Sequence, residues 1–358
     1  MKIAVISLVR RGGMVHFHAE FINSLSKIVP AIAIISDAVP SSYYSPEIPR
    51  LFVRIGQGGA FSTFINSINP LAWYRLFIAL RDSQADIFHV VSSHAWNPLL
   101  GVFIRMLKRR LIFTMHDPEH HLGAPLYIQI TDKIIAKMSD AVIVLSKLGK
   151  QQLLMKGHSE EKVFHIPHGI YSFFVQNHPA NVNQEKVILF FGRIEPYKGL
   201  DVLFKAFSRL AGFLPDWKLV VAGYGNFSPY LTYINCPQIE IINRYVSDDE
   251  VAILMLRASL VVLPYIEATQ SGVIPIAYAF ARPVIATDVG SLGEMVIHGK
   301  TGLLVPPNDV EELIRAIKAM TSDELMRSRM GNYAFEFAHH EWDWLEIARK
   351  HLEMYKRH

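Results

Sequence analysis

Short apolar runs alternate with stretches of helical spacing along most of the chain. Runs rich in Val, Ile, Leu and Phe predict strands buried on both faces, as in a parallel sheet. The predicted strands are Lys2–Leu8, Ala31–Ile35, Asp86–Ser92, Leu111–Met115, Ala141–Ser146, Val163–Ile166, Val187–Phe191, Lys218–Ala222, Glu240–Ile242 and Ser259–Pro264. Predicted helices lie between many of them, over Val15–Ile28, Asn69–Arg81, Pro98–Arg110, Leu148–Met155 and Val310–Met320. This alternation predicts an α/β fold built on parallel sheets.

The length of the chain and one polar segment predict two domains. The chain has 358 residues, of which 51% are apolar and 19% are charged, and this is too long for one ordinary core. Residues 171–185 are polar and lack periodicity, so we predict a linker there. The predicted domains are therefore residues 1–175 and 186–340, and residues 341–358 form a separate C-terminal helix.

The cysteine content and the N-terminal residues indicate in which cellular compartment the protein is expected. Cys236 is the only cysteine, so an internal disulfide is excluded, and this fits a reducing compartment. The segment M-K-I-A-V-I-S-L-V-R-R-G-G has too short an apolar core for a signal peptide, and no apolar run is long enough to span a membrane. We therefore expect a cytoplasmic protein.

The charge is distributed unevenly between the two halves. Residues 1–180 carry 18 Lys and Arg against 11 Asp and Glu, whereas the whole chain has 36 against 32. A basic half predicts an acidic partner such as an anionic membrane surface or a phosphorylated acceptor, although it is also compatible with a mildly basic surface. No signature of nucleic-acid binding is present. The predicted helix 98–110 has a basic end, which fits either an anionic membrane contact or cations at a helix C-terminus.

Two cations lie between a predicted strand and a predicted helix. Gly192 ends the strand Val187–Phe191, Arg193 and Lys198 follow within a short loop, and Gly199 opens an amphipathic helix. Backbone N–H groups and the helix dipole at such a junction favour an anion. Arginine offers a fork to phosphate oxygens and lysine a mobile point charge. The pattern favours a phosphate site, and the alternative is a surface loop with two solvated cations.

The segment G-R-I-E-P-Y-K-G at 192–199 resembles the donor-phosphate loop of glycosyltransferase family four, whose members are retaining enzymes with the GT-B fold. The segments T-D-V-G-S-L-G-E at 287–294 and G-K-T-G-L-L-V at 299–305 are also similar to motifs of this family. The resemblance implies two Rossmann-like parallel-sheet domains facing a deep interdomain cleft. It also implies that Arg193 and Lys198 act catalytically by holding the diphosphate of a nucleotide sugar.

The same resemblance implies further donor contacts in both halves of the chain. In the first half, the pair Gly12 and Gly13 would let the backbone approach the donor diphosphate. In the second half, the implied donor-binding residues include Gly192 and Glu294. Gly223 and Gly225 form a tight turn after the predicted strand Lys218–Ala222, where a base or ribose could bind, so they are also predicted donor-binding residues. Arg244 lies in the region that meets the nucleotide base in the family, but a structural role there is equally compatible with the sequence.

Histidines near the ends of predicted strands are further candidates. His116 and Asp117 resemble a T-x-H-D-like segment of the family, which implies that His116 lies close to the transferred sugar with Asp117 as a supporting neighbour. His16 and His94 are weaker candidates, and His120 and His121 remain unexplained. The run H-D-P-E-H-H lacks the spacing of a metal site, because adjacent residues of an extended loop point in alternate directions. No metal site is predicted.

One segment departs from the family pattern. Members usually carry two glutamates separated by seven residues, and alignment through Pro283 and Val284 places Ala268 and Ile276 at those positions, with Glu267 one residue out of register. The sequence instead reads T-Q-S-G, and this form resembles one branch of the family. Hydroxyl and N–H groups there suit a diphosphate, so the predicted donor-binding residues are Thr269, Gln270, Ser271 and Gly272.

The resemblance implies transfer of a sugar from a nucleotide diphosphate sugar to an acceptor hydroxyl, with retention and without a cofactor or metal. The missing D-x-D motif agrees with this. The implied acceptor is a glycan or a polyprenyl-diphosphate-linked sugar at the inner membrane face, in bacterial surface polysaccharide or glycolipid biosynthesis. The alternatives are a nucleotide-sugar epimerase of the same fold and a non-catalytic nucleotide-sugar-binding subunit. The family fold also implies that residues 341–358 pack on the first domain.

Overall fold

A computed structural model describes residues 1–55, 69–119, 125–176, 182–233 and 235–357. It divides into two compact units. The first contains Met1–Gly169 together with Trp344–His358, and the second contains Ile170–Asp343. Each unit has its own parallel sheet flanked by helices. Among the described residues, no helix combines the length and apolar content needed to cross a bilayer.

The first unit contains a seven-stranded sheet with the strand order β3-β2-β1-β4-β5-β6-β7. Its elements in chain order are β1 (Ile3–Ser7), α1 (Gly13–Leu25), β2 (Ala31–Ser36), β3 (Arg50–Val53), α2 (Pro70–Asp82), β4 (Ile87–Val90), α3 (Asn97–Met106), β5 (Arg110–Met115), α4 (Leu126–Met138), β6 (Ala141–Val144), α5 (Lys147–Met155) and β7 (Val163–His165). Every residue of β1 and β4 is buried, which explains their continuous apolar sequences.

The second unit contains a six-stranded sheet with the strand order β10-β9-β8-β11-β12-β13. Its elements are α6 (Phe173–Gln176), β8 (Val187–Phe191), α7 (Leu200–Leu210), β9 (Lys218–Ala222), β10 (Ile239–Ile242), α8 (Asp248–Arg257), β11 (Leu260–Leu263), α9 (Val273–Ala279), β12 (Val284–Thr287), α10 (Leu292–Met295), β13 (Gly302–Val305), α11 (Val310–Ser322) and α12 (Glu324–Glu341). The final helix, α13 (Trp344–Arg357), belongs to the first unit.

Both sheets have a point at which the chain reverses its direction of winding. In the first sheet β1 lies beside β4, and in the second β8 lies beside β11. Loops that leave the carboxyl ends of two such neighbours diverge and leave a crevice, which is where open α/β sheets bind ligands. The loops after β1, β4, β8 and β11 are therefore the first places to look for a site.

Helix α13 packs against α1 and the first sheet through buried aromatic and polar groups. The Tyr355 hydroxyl lies 2.6 Å from Nδ1 of His89, and Arg110 donates a hydrogen bond of 2.8 Å to the Tyr355 carbonyl. A Cβ on Gly169 would lie 2.2 Å from the ring of Trp344, so this contact needs a residue without a side chain. These contacts join the last residues of the chain to the first unit.

Several elements differ from the sequence prediction, which also lacked helix α12 and strands β12 and β13. Strand β3 and helix α4 were not predicted: β3 is short and exposes Phe52, whereas α4 turns apolar side chains toward solvent. The helix predicted over residues 98–110 ends at Met106, because Lys108 adopts a left-handed conformation with a φ of 54° and Arg110 already begins β5. Short edge strands and outward-facing apolar residues both weaken the patterns used for prediction.

Buried neutral histidines in the first unit predict a loss of stability in acid. Burial lowers the pKa of His18 and of His351 to about 4, whereas an unfolded histidine titrates near 6.5. Between these values the unfolded chain binds more protons than the folded one. The free energy of unfolding should therefore fall as the pH decreases from about 6.5 to about 4, by up to ~1.4 kcal/mol per pH unit for each histidine.

Urea unfolding at a series of pH values measures this slope. His351→Gln should reduce it by roughly one histidine's share, whereas His340→Gln, at a position whose side chain is 86% exposed, should leave it unchanged. A stability that does not depend on pH over this range would contradict the prediction.

Candidate functional site

The loop after β8 carries the two predicted catalytic cations. The chain passes through a short 3-10 turn at Pro196–Lys198 and enters α7 at Gly199, which has a φ of 65°. A Cβ at Gly199 would lie 1.9 Å from the main-chain oxygen of Pro264, at the end of β11. The loops after β8 and β11, the two strands at the winding reversal, therefore touch backbone against backbone.

The Lys198 ammonium lies on aromatic faces. Its Nζ is 3.6 Å from the ring centroid of Tyr265 and 4.8 Å from that of Tyr197. Burial lowers the pKa of Lys198. Within the described residues no carboxylate lies within ion-pair distance of Lys198, so its nearest partners are the two aromatic rings.

Arg193 lies in the same loop but is more exposed. Its guanidinium forms an ion pair of 2.8 Å with Glu195 and donates to the Tyr197 hydroxyl at 3.3 Å. The carboxylate thus sits beside the arginine and not beside the lysine. A fork of N–H donors and a desolvated ammonium on one loop can together hold a dianionic phosphate group.

The glycines after β9 are required by close backbone packing. A Cβ on Gly223, which has a φ of 152°, would lie 1.8 Å from the oxygen of Gly192, and one on Gly225 would lie 2.0 Å from that of Ile194. Gly192 itself has a φ of 138°. These three predicted donor-binding glycines therefore join the loops after β8 and β9 into one surface at the carboxyl edge of the sheet.

Arg244 has a structural role in the described contacts. Its guanidinium donates to both carboxylate oxygens of Glu250, at 2.9 and 2.6 Å. Glu250 also completes the capping box that the sequence predicted with Ser247 at the start of α8. The guanidinium and these hydrogen bonds lower the pKa of Glu250 to about 2. These interactions favour the structural role for Arg244, although they do not test a base contact.

The T-Q-S-G segment lies between β11 and α9. The Ser271 hydroxyl is buried, accepts from the amide of Val273 at 3.3 Å and lies 3.4 Å from the Tyr265 hydroxyl. The Ser291 hydroxyl donates to the Thr269 carbonyl. Gln270 and Glu267 are half-buried in the same segment, and Gly272 caps α9. The predicted residues of this segment are thus brought to the switch point of the second sheet.

The two positions of the usual glutamate pair differ in surroundings. Ile276 is buried inside α9, so an apolar side chain packs into the core where the family pattern has a carboxylate. Ala268 lies in the loop, and its oxygen would be 1.5 Å from a Cβ on Gly290. Glu294 is exposed in the short helix α10, after β12. The T-D-V-G-S-L-G-E segment at 287–294 thus places the Glu294 carboxylate at the carboxyl edge of the second sheet.

In the first unit the predicted residues follow three adjacent strands. Gly12, with a φ of 85°, precedes α1 after β1, and Gly13 is the first residue of that helix. His94 follows β4, and His116 and Asp117 follow β5. Because β1, β4 and β5 are neighbours in the sheet, the structure brings these loops to one edge.

Burial keeps His116 and His94 of this edge neutral, and each ring has a hydrogen-bond partner. Nε2 of His116 lies 2.9 Å from the Val91 carbonyl, and its ring packs edge-on against Phe17 at 4.9 Å. Nδ1 of His94 accepts from the amide of Trp96 at 3.1 Å. Burial lowers the pKa of His116 and lowers that of His94 to about 4. His16 is buried and packs on Tyr43 at 5.1 Å.

Two residues near these edges were missed by the sequence analysis. Tyr265 directly follows the predicted strand that ends at Pro264, and its position after a strand end could have indicated it. Asp132 lies in α4, which was not predicted at all; its carboxylate accepts from the Ser93 hydroxyl at 2.6 Å, and burial raises its pKa to about 6. An acidic residue on an otherwise apolar buried face was the available signal.

No group of three or more metal-ligating side chains that could hold a metal ion occurs in the described ranges. His120 and His121 lie outside those ranges, so the unexplained part of the histidine-rich run cannot be placed. His116 and Asp117 remain as the described part of that run.

Two family descriptions match the chain, one in each half. Residues 11–171 match "Glycosyltransferase Family 4", and residues 185–323 match "Glycosyl transferases group 1". Two similar proteins are uncharacterised glycosyltransferases of Methanocaldococcus jannaschii. The first is 32% identical over 56% of this chain and 55% of its own length, and the second is 28% identical over 76% of each. The chain thus spans about half of the first relative.

A solved structure is similar over the full length of both chains. The Anabaena protein HepE, determined in complex with UDP-glucose, aligns with a TM-score of 0.76 at 18% identity and with complete coverage of both chains. The similarity confirms the predicted fold, which consists of two Rossmann-like parallel-sheet domains of the GT-B type.

The close approach at Gly199 predicts a stability cost for any side chain there. Gly199→Ala should lower the free energy of unfolding by ~2 kcal/mol or more, because the new Cβ meets a main-chain oxygen at a left-handed residue. Gly157→Ala is the matched control, since Gly157 has a φ of 85° but nothing within 4 Å of its Cβ. Urea denaturation measures both, and equal costs would contradict the contact between the loops after β8 and β11.

Proposed function

We propose that this chain, whose two halves match the glycosyltransferase families just described, transfers a sugar from a nucleotide diphosphate sugar to an acceptor hydroxyl with retention of configuration. The observation that carries the proposal is the desolvated Lys198, which has no carboxylate ion-pair partner within the described residues and lies beside Arg193 at the N-terminus of α7. The complex of HepE with UDP-glucose, which has the same fold, supports a nucleotide-sugar donor.

The cationic loop would act on the leaving diphosphate. As the glycosidic bond to the donor breaks, negative charge develops on the phosphate oxygens, and Arg193, Lys198 and the first N–H groups of α7 would stabilise it. Such preorganised groups accelerate a reaction because they are already oriented when charge develops. In this mechanism they take the place of a metal ion, and no cofactor is required.

The first unit would hold the sugar and the acceptor. Gly12 and Gly13 leave the backbone after β1 uncovered by side chains, so it can approach the donor. A neutral His116 that donates from Nε2 to the Val91 carbonyl carries its lone pair on Nδ1 and can accept from a sugar hydroxyl. Its depressed pKa keeps it uncharged at neutral pH, which suits hydrogen bonding and does not suit proton donation.

The absent glutamate pair changes how the donor is held. Since Ile276 is buried and apolar, it offers no acceptor for ribose hydroxyls. Donor contacts would come from the Thr269–Gly272 segment, from Glu294 and from the glycine turns after β8 and β9. Glu267, one residue out of register, is the carboxylate of the segment that could substitute.

The basic charge of the first half motivates a proposal for the acceptor class. We propose a glycan or a polyprenyl-diphosphate-linked sugar, in bacterial surface polysaccharide or glycolipid biosynthesis, with peripheral contact to an anionic membrane. The basic residues at the end of α3 and directly after it give this little support, because Arg105 pairs with Asp140 at 2.9 Å and Arg109 pairs with Asp86 at 3.3 Å. Those cations are partly neutralised within the unit.

Nucleotide binding tests the donor site directly. A thermal-shift panel of UDP, GDP, ADP and dTDP should raise the Tm of the wild type with one nucleotide, because a ligand at a hundred times its Kd adds ~2.7 kcal/mol of stability. The Arg193→Ala, Lys198→Ala double variant should lose the shift. Lys198→Ala alone should lower kcat by roughly 10²-fold.

Lys205→Ala is the matched control for this test, since Lys205 lies on α7, directly after the cationic loop, and pairs with Asp201 at 3.3 Å. It should keep both binding and turnover. Unchanged turnover in Lys198→Ala would remove the proposed role of that lysine. A new nucleotide sugar that forms both with and without acceptor would favour the epimerase alternative.

The aromatic support of Lys198 gives a separate prediction. Tyr265→Leu should weaken nucleotide binding about 10-fold, because it removes the ring that holds the desolvated ammonium. Tyr265→Phe keeps the ring and removes only the hydroxyl near Ser271, so it should stay within about 2–3-fold of the wild type. Nucleotide titration by calorimetry measures both, and equal effects of the two substitutions would contradict this role for the ring.

A further inference from the structure

Helix α4 presents apolar side chains to solvent. Leu126 is 70% exposed, Tyr127 57%, Ile130 48% and Ile134 41%. Its inner face is anchored by buried Ile135 and Ala136 and by Asp132. Soluble proteins usually cover such an apolar face or use it for binding.

The same face carries positive charge. Lys133 and Lys137 are exposed, and the spacing of Leu126, Ile130, Lys133 and Lys137 places them along one stripe of the helix. Neither lysine forms an ion pair with a carboxylate in the described part of the chain. The single acidic residue of α4, Asp132, is buried and bonded to Ser93, so the exposed face has no negative charge of its own.

We propose that this α4 face, composed of Leu126, Tyr127, Ile130, Lys133, Ile134 and Lys137, is a docking surface for an anionic lipid bilayer. A helix that lies in the membrane interface buries its apolar side chains among the acyl chains and places lysines against anionic headgroups. The combination of apolar residues with unpaired cations matches that partner in both respects.

A second copy of the chain fits the α4 face less well. A stable protein interface uses about 20–30 residues on each side, whereas this face has six side chains. In a two-fold dimer the same surface meets itself, which would bring the lysines of both copies together without intervening carboxylates. Charge therefore favours a lipid surface.

The position of α4 connects this surface to the proposed acceptor. The helix follows β5, so its first residue, Leu126, lies toward the carboxyl edge of the sheet that carries His116. Docking would place this edge near a lipid-linked acceptor. This last point rests on the proposed function, whereas the docking itself does not.

Vesicle flotation of the full chain tests the proposal. The wild type should float with vesicles of equal phosphatidylglycerol and phosphatidylcholine at low salt, and much less with phosphatidylcholine alone. Lys133→Gln with Lys137→Gln should weaken partitioning roughly 25-fold, at about five-fold for each lysine. Leu126→Ser with Ile130→Ser should abolish flotation even at low salt, because the apolar contact is lost.

Matched controls exclude nonspecific effects. Lys27→Gln with Lys162→Gln removes two other exposed lysines of the first unit, and Met155→Ser with Leu325→Ser removes two isolated apolar residues that are 78% and 72% exposed. Both should float like the wild type, and every variant should keep its Tm. Equal loss in a control variant would overturn the assignment to α4.

Two further outcomes would overturn the proposal. The first is a wild type that does not float with anionic vesicles. The second is a dimer in sedimentation that dissociates in the Leu126→Ser, Ile130→Ser variant, because the face would then be an interface between copies. The nucleotide thermal shift should persist in all α4 variants, so its absence in the wild type would count against the donor site and not against docking.

Discussion

The second unit depends on main-chain atoms approaching one another where its strands end. Gly199 approaches the Pro264 oxygen, Gly223 the Gly192 oxygen and Gly290 the Ala268 oxygen. Each approach is so close that a Cβ atom on the glycine would clash with the oxygen. These three contacts lock the loops after β8, β9, β11 and β12 together. Because side chains are absent there, backbone N–H groups and the N-terminus of α7 can reach an anion at the same edge.

The electrostatic character of that edge comes from which partner each cation has. Glu195 pairs with Arg193, whereas Lys198 rests on the ring of Tyr265. An aromatic face attracts an ammonium without cancelling its charge, and burial strengthens its interaction with an arriving anion. The hydroxyl of Tyr265 also reaches Ser271, so one residue connects the cationic loop to the T-Q-S-G segment.

The first unit differs from the second in the charge that buried side chains carry at the corresponding edge. Its edge holds histidines that burial keeps neutral, and the returning helix α13 contributes Tyr355 to the ring of His89. Polar groups inside such a core need hydrogen-bond partners, and the Tyr355 and Thr114 hydroxyls supply them to His89. Helix α4 shows the opposite arrangement, with apolar residues outside and a carboxylate inside.

Local sequence was sufficient to predict an element where a short run of residues favours one conformation. The apolar runs determined the buried strands, Ser247 and Glu250 determined a helix start, and the G-R-I-E-P-Y-K-G segment indicated the cationic loop. Each signal lies within a few residues, so it can be read without knowing the fold. The edge strand β3 and the outward apolar face of α4 could not be read in this way, because their patterns reflect distant neighbours and exposure.

Only the tertiary structure decided which side chains pair with or pack against one another. Which cation pairs with Glu195, that Arg105 is engaged by Asp140, and that Ile276 packs into the core depend on residues brought together by folding. The aromatic support of Lys198 comes from a residue 67 positions away in the numbering, at the end of the neighbouring strand β11. Sequence alone thus determined most of the buried strands and indicated the cationic loop, whereas the order of strands in the sheet determined which side chains meet.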